Sequence, residues 1–382
     1  MFVKIHMIQN FGPSNLNRGQ DGRPKSCLLG GYQRARISSQ SLKRTIRNSP
    51  LFAEKIETLG KSYQTRLLPS LVAERLKEEG IKGDIIDLFV SKVKGIGTSS
   101  GRGGKNNGEV PQTSQTLFFS EGELDTLVNI LIEKADKSTK ELKQFDLEDL
   151  VRKRFDTNGA RISPEIALFG RFITSDIFPT IQSAVQVAPA ISTNQRNLQT
   201  DYFVGIDELK GGEAAIIDEA EFVSPCFYKY FTVDMEQVLS NMALNYTHNF
   251  EADQVLIEMV DVLEAFIRAA VFDTSGGMQN KFAAHNLPSF IMAEIPSAPI
   301  SYNYNNAFLT PISPTRDSDI INESIKALIT HMNYLDKVYE FDGDTQRFGL
   351  FIGPYKNEEF NETCETFEEF ITKVKTAIVN KE

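Results

Sequence analysis

Val3, Ile5 and Met7 alternate with Lys4 and His6 at the start of the chain, a period-two pattern that predicts a strand over 2–9. A loop rich in Gly, Pro, Asn and Arg follows, and then a short helix from about Ser39. From 51 to 155 apolar residues recur at helical spacing, as in LPSLVAERLKEEG and ELDTLVNILIEKA, and Ser120 with Glu123 forms a capping box ahead of the second run. Strand character returns over 166–172 (IALFGRF), 184–191 (AVQVAPAI) and 221–233 (EFVSPCFYKYFTV). An amphipathic helix is predicted at about 251–272 and a final strand at 289–295 (SFIMAEI). The order strand, helix, strand, strand, helix, strand predicts an α+β fold of the ferredoxin-like βαββαβ kind, with a helical insertion of about 100 residues after its first helix.

Composition narrows the class. The 382 residues are 41% hydrophobic and 24% charged, the balance of a globular chain with room for two or three structural units. The opening MFVKIHMIQNF lacks the pattern of a signal peptide, and no stretch approaches the roughly 18 apolar residues of a membrane helix, so a cytoplasmic location with no membrane contact is expected. Cys27, Cys226 and Cys364 are far apart and read as reduced, structural thiols. Charge is segregated: residues 1–50 hold nine Lys or Arg against the single Asp21, inside a chain of net charge −10. One surface is therefore prepared for a polyanion that the rest repels, and nucleic acid is the first candidate. RNA-recognition domains share the predicted strand order, although order alone does not assign function.

The chemistry concentrates in 16–47, LNRGQDGRPKSCLLGGYQRARISSQSLKRTIR. Ser38 or Ser39 can cap the helix, whose first N–H groups already favour an anion. Gln40, Lys43, Arg44 and Arg47 fall at i, i+3, i+4 and i+7 and share one face, while Leu42 and Ile46 share another that can anchor the helix to a core. Such a ridge suits a phosphate backbone better than a base edge. Arg18, Arg23 and Lys25 from the loop, with Arg34 and Arg36 from the run into the helix, extend the track, and Gly30 and Gly31 allow a tight turn or a close backbone approach. The bland alternative is an ordinary solvated helix face.

GGYQRARISSQSLKR, with LNR upstream, resembles the N-terminal motif of the CasC family, the repeated backbone subunit of the type I-E CRISPR complex called Cascade. The likeness continues in order through IALFGRF, AVQVAPAIST, DYFVGIDEL, FVSPCFYKYF and QNKFAAHN. It implies a hand-shaped protein with an RNA-recognition-like palm (1–50, 156–192 and 223–315), helical fingers (51–155), a thumb hairpin (193–222) and a C-terminal helical segment (316–382) completing the palm. It also implies a non-catalytic, cofactor-free role. Copies would line up along one CRISPR RNA and present it for pairing with target DNA in antiviral defence, beside the large, small, CasD-like and CasE-like subunits.

The resemblance places phosphate-gripping positions on Arg18, Lys25, Ser38, Gln40, Lys43, Arg44 and Arg47. It places a base-wedging turn on Gly170, Arg171 and Phe172, where core packing of Phe172 is the alternative. A further RNA contact falls on Gln279 and Asn280, within a Gly-Lys-Gln-Asn motif that here reads Gly277, Met278, Gln279 and Asn280. Lys281 is a candidate replacement for the missing cation. Tyr32 and Gln33 stand after the Gly pair where the family commonly has Lys, and Pro189 and Asn194 stand where it has His.

Other features carry less. The Gly-rich stretch 94–108 fails the phosphate-loop pattern, because Ser99 stands for the first Gly and Asn106 for the Ser or Thr after Lys105. It reads as a surface loop, or as a basic finger near target DNA. His6, His248, His285 and His331 show no metal spacing, and His285 reads as a hydrogen-bonded structural residue. Asp21 supports one alternative, a metal-dependent RNase resembling the backbone subunits of type III complexes.

Overall fold

The structure, a computed structural model, describes residues 1–96, 110–159, 162–172, 177–207, 209, 213–245, 252–341, 345–353, 355 and 362–380. The Gly-rich stretch from Gly97 onward and His248 lie outside the described residues. The chain divides into two units: Met1–Phe52, Gln186–Asp234 and Leu263–Glu382 form one, Ala53–Val185 and Met235–Val262 the other. In chain order the strands are β1 (Phe2–Asn10), β2 (Ser26–Leu29), β3 (Tyr32–Ile37), β4 (Ser62–Thr65), β5 (Leu117–Ser120), β6 (Val185–Val187), β7 (Ala190–Ser192), β8 (Gln199–Asp207), β9 (Glu213–Phe222), β10 (Cys226–Asp234), β11 (Phe290–Ile295), β12 (Gln346–Phe351) and β13 (Thr363–Cys364).

The first unit is built on one sheet of order β13-β12-β11-β1-β10-β7-β3-β2, with β6 also against β10. β1 lies inside it, paired antiparallel with β10 from Phe2↔Asp234 to Asn10↔Cys226 and with β11 from Lys4↔Glu294 to Ile8↔Phe290. Its apolar set faces the second half of helix Ala252–Phe272, where Phe231 meets Phe266 edge-on at 5.7 Å. The opposite face packs under helix Ile320–Tyr339 through Ile8, Tyr228, Tyr230, Ile325, Leu328 and Met332.

Alternation at 2–9 implies one wet face, yet Lys4 and His6 are fully buried. A long-range cluster neutralises them: Glu294 lies 3.1 Å from Lys4 Nζ, 2.9 Å from His6 Nε2 and 2.6 Å from Arg347 Nε. The Tyr304 hydroxyl also donates to Glu294 at 2.9 Å. Burial alone would raise the Glu294 pKa, but the His6 hydrogen bond and the Lys4 and Arg347 charges hold its carboxyl well below the usual range.

The second unit is mainly helical, with a short β4–β5 pair and a core that includes Leu76, Phe89, Val93, Phe119, Leu127, Leu131 and Phe178. Ser120 and Glu123 make the expected capping box of helix Glu121–Lys134. Four expectations change. IALFGRF forms a helix, Pro164–Phe169: Ser163 caps it by accepting from Ile166 N, Pro164 pre-sets its first turn, and Gly170 at φ +72° ends it. The basic loop holds the hairpin β2–β3, turned by Gly30 and Gly31 at φ +60° and +84° as a two-residue turn requires. Residues 221–233 divide into the end of β9 and β10. The C-terminal segment contains strands β12 and β13 as well as helices.

Candidate nucleic-acid interface

Helix Ser39–Arg47 owes its position to its two apolar residues. Leu42 and Ile46 are buried at 4% and 2%, which turns the opposite side outward. Ser38 is the N-cap: its hydroxyl accepts from Ser41 N, and its own N–H donates to Asn17 Oδ1 at 2.9 Å, tying the helix start to the basic loop. Arg44 and Arg47 occupy the last turn, where the helix dipole favours cations.

Beside this helix lies a cavity of about 840 Å³. Arg18 and Gln20 line it from the loop, Ser41, Arg44, Thr45 and Asn48 from the helix, and Asp273, Thr274, Gly276 and Gly277 from the segment after helix Ala252–Phe272. The helical wall is thus an i, i+3, i+4, i+7 stripe one residue later than the expected Gln40, Lys43, Arg44 and Arg47. Arg44 sits on the ridge common to both stripes. Gln40 is exposed, and Lys43 and Arg47 are half-buried, on the flank away from the cavity; burial lowers the Lys43 pKa. Gly277 closes the cavity because a Cβ there would lie 2.3 Å from Leu16 O and 2.4 Å from Asn15 O.

A family model described as CT1975-like protein matches residues 3–373. The chain belongs to that family. This is the CasC-like assignment that the motifs carry. Two solved structures are similar in fold: a chain titled "CRISPR RNA-guided surveillance complex, pre-nicking", at TM-score 0.80 and 24% identity over 99% of this chain and 100% of that one, and a chain titled "CRISPR RNA-guided surveillance complex", at TM-score 0.72 and 22% identity over the same shares. No curated protein matches the chain.

Within this CT1975-like chain, two expected RNA contacts are turned inward. Arg34 is fully buried, and its guanidinium donates to the carbonyls of Ser192 (3.0 Å), Thr193 (2.6 Å), Phe308 (2.6 Å) and Leu309 (3.2 Å). Gly30 makes this approach possible, since a Cβ there would collide with Leu309 O. Arg34 therefore joins β3 to β7 and to 308–309 instead of facing phosphate. Arg171 is 4% exposed and grips Glu123 with both arms, at 2.7 and 2.8 Å, while donating to Phe118 O and Pro179 O. It holds the turn that leaves Phe172 87% exposed, which excludes core packing for that ring.

Among the remaining predicted positions, Arg18 is exposed at the cavity mouth, and Lys25 is half-buried with its N–H donating to Asn17 O. Asn280 is exposed and Gln279 half-buried, its amide donating to Ser275 O and Ala284 O. Two candidate cations of the track are engaged by the β8–β9 hairpin: Lys281 pairs with Asp201 at 3.0 Å and lies 4.2 Å from the Phe203 ring centre, and Arg23 pairs with Glu221 at 3.1 Å. His285 is exposed. Asp21 is exposed and accepts from Arg23 N at 3.2 Å; among the described residues no group of three His, Cys, Asp or Glu is placed to hold a metal ion. No described helix is long and apolar enough to cross a membrane. Ser41, Thr45, Asn48 and Asp273 were missed as site residues. For the first three the helical period was the available signal, because either flank of Arg44 was compatible with it.

Proposed function

We propose that this chain is a non-catalytic, cytoplasmic scaffold of a CRISPR RNA-guided surveillance complex of the Cascade type. Copies polymerise along the guide RNA, grip its phosphates and present its bases for pairing with target DNA. The observation that carries this reading is the cavity of about 840 Å³ walled by the basic loop and the capped helix, in a CT1975-like chain. Base pairing supplies sequence recognition, so the protein needs only shape and charge. A ferredoxin-like, RNA-recognition-like palm is supported by the central order β11-β1-β10-β7, in which the fourth, first, third and second strands of that motif lie side by side. The mostly helical unit serves as fingers. The thumb reading rests on the β8–β9 hairpin, whose Tyr202, Val204 and Ile206 are 59%, 44% and 64% exposed and suit a neighbouring copy. Phe172 stacks on a base, and the other Cascade subunits join the same assembly.

The phosphate-gripping positions that the resemblance implies include five cations: Arg18, Lys25, Lys43, Arg44 and Arg47. At about 0.7 per single-strand phosphate, log K against log salt should slope by roughly −3.5 per protomer, whatever the guide sequence. Titrating fluorescent RNA at several salt concentrations tests this, and a slope near zero rejects the track. Incubating the assembled complex with complementary RNA and Mg²⁺ tests the non-catalytic assignment. Regular cleavage abolished by Asp21→Ala would replace the scaffold by an RNase.

A further inference from the structure

The helix that covers the second face of the sheet, Ile320–Tyr339, ends beside a row of aromatic rings. Phe341 stacks on Tyr302 with centroids 5.2 Å apart and planes at 15°, and Tyr339 stacks on Phe341 at 5.6 Å and 18°. Both distances are those of offset-stacked pairs. A cation caps the inner end of the row, where Lys4 Nζ lies 3.6 Å from the centre of the Tyr302 ring. The outer end is Tyr339, which is 63% exposed and, among the described residues, has no cation on its ring. Tyr334 and Val338 of the same helix are also exposed, at 63% and 53%, so the open ring belongs to a patch of three large side chains.

The charges around the open ring select a cation. Glu340 follows Tyr339 directly, caps the helix at φ +56° and is exposed, and among the described residues no ion pair engages it. A carboxylate at the C-terminal end of a helix opposes the dipole, and a left-handed conformation strains any residue with a Cβ, so local stability does not account for Glu340. From Val338 to Gln346 the sequence holds Glu340, Asp342 and Asp344 and no Lys or Arg. Lys337 is the cation of the last helical turn, and Arg347 is engaged by Glu294 and Asp336. A nucleobase also stacks on tyrosine, but its phosphates would meet this acidic run. A guanidinium lies flat on a ring and pairs with a neighbouring carboxylate at the same time. We propose that Tyr334, Val338, Tyr339 and Glu340 form a docking surface for another protein, which presents an arginine flanked by apolar side chains. The arginine lies on Tyr339 and pairs with Glu340, and its apolar neighbours cover Val338 and Tyr334. This surface is independent of the scaffold reading above.

The test titrates the full chain into a short capped peptide with one arginine between two leucines and follows the peptide by NMR. Thermal melts confirm that each variant is folded, as expected for substitutions at exposed positions. Wild-type protein should bind saturably and shift the arginine Cδ protons upfield through the ring current of Tyr339. Tyr339→Ala should abolish binding and Tyr339→Phe should keep it. Glu340→Gln should weaken it about tenfold through loss of a charge-assisted hydrogen bond, and a lysine-centred peptide should bind more weakly than the arginine one. Absence of saturable binding, or equal binding by Tyr339→Ala, overturns the proposal. A glutamate-centred peptide that binds as well would reduce the surface to apolar contact. A single-stranded oligonucleotide that displaces the peptide would make it a nucleic-acid surface, and self-association in sedimentation that Tyr339→Ala removes would make the occupant a second copy. Each of these three results also overturns it. RNA affinity at the basic helix is measured separately, so the scaffold reading stands or falls by its own salt titration.

Discussion

Replacing Arg171 by Ala separates a structural arginine from an RNA-contacting one. The side chains of Arg171 and Glu123 are 1% and 0% exposed, so the substitution strands a buried carboxylate and removes donors to Phe118 O and Pro179 O. Breaking such a pair from one side costs about 3–5 kcal/mol, whereas exposed pairs contribute about 1 kcal/mol or less. The unit concerned has roughly 160 residues. At about 2–4 °C per kcal/mol for that size, its melting temperature should fall by roughly 6–20 °C. Circular dichroism melts, with urea titrations as a check on cooperativity, measure this directly. An Arg171→Met, Glu123→Gln double variant should recover much of the loss, because no charge is left buried. Recovery stays incomplete, since the carbonyls of Phe118 and Pro179 lose their guanidinium donor, whereas the capping box survives because a glutamine amide oxygen also accepts from Ser120 N. A melting point within about 1 °C of wild type, together with lost RNA affinity, would refute the structural assignment.

Other perturbations give independent checks. Phe172→Ala should leave the melt unchanged, the ring being 87% exposed, and weaken RNA binding in fluorescence anisotropy by roughly 1–3 kcal/mol per stacked base. Gly277→Ala puts a methyl group against two backbone carbonyls and should cost about 1–3 kcal/mol in urea unfolding, with a loss of RNA affinity as 15–16 shifts. Lys229, fully buried on β10 opposite Met7, has its pKa pushed down to about 8 from 10.5 by burial. The unfolded chain therefore binds more protons between pH 8 and 10.5, and stability should rise by about 3 kcal/mol across that window as the penalty for charging Lys229 is relieved. Lys229→Met should remove this rise, and identical pH profiles for the two proteins would contradict it.

Much of this organisation was legible locally. The period of two in 2–9, the helical spacing at 51–155 and 251–272, and Leu42 with Ile46 opposite Arg44 are properties of neighbouring residues, and these elements form where the pattern puts them. IALFGRF was misread because Ser163, Pro164 and Gly170, which start and stop its helix, lie at or beyond the ends of the apolar run. Charge segregation located the basic loop and helix correctly, since net charge needs no partner to be counted. Whether a particular cation faces water is a different kind of question. Arg171 is turned inward by a carboxylate 48 residues away, and Arg34 by carbonyls 158 and 274 residues away. Lys4 and His6 are buried because Glu294 comes to meet them, its other oxygen held by Arg347. Asp273 joins the cavity wall only because the chain returns there after more than 200 residues. Sequence determined the elements, the apolar face of each helix and the sign of the surface, because those follow from short-range periodicity and from net charge. Tertiary structure alone decided which arginines are neutralised inside, which flank of the basic helix borders the cavity and which carboxylate lines it, because neutralisation and enclosure depend on partners that sequence spacing does not encode.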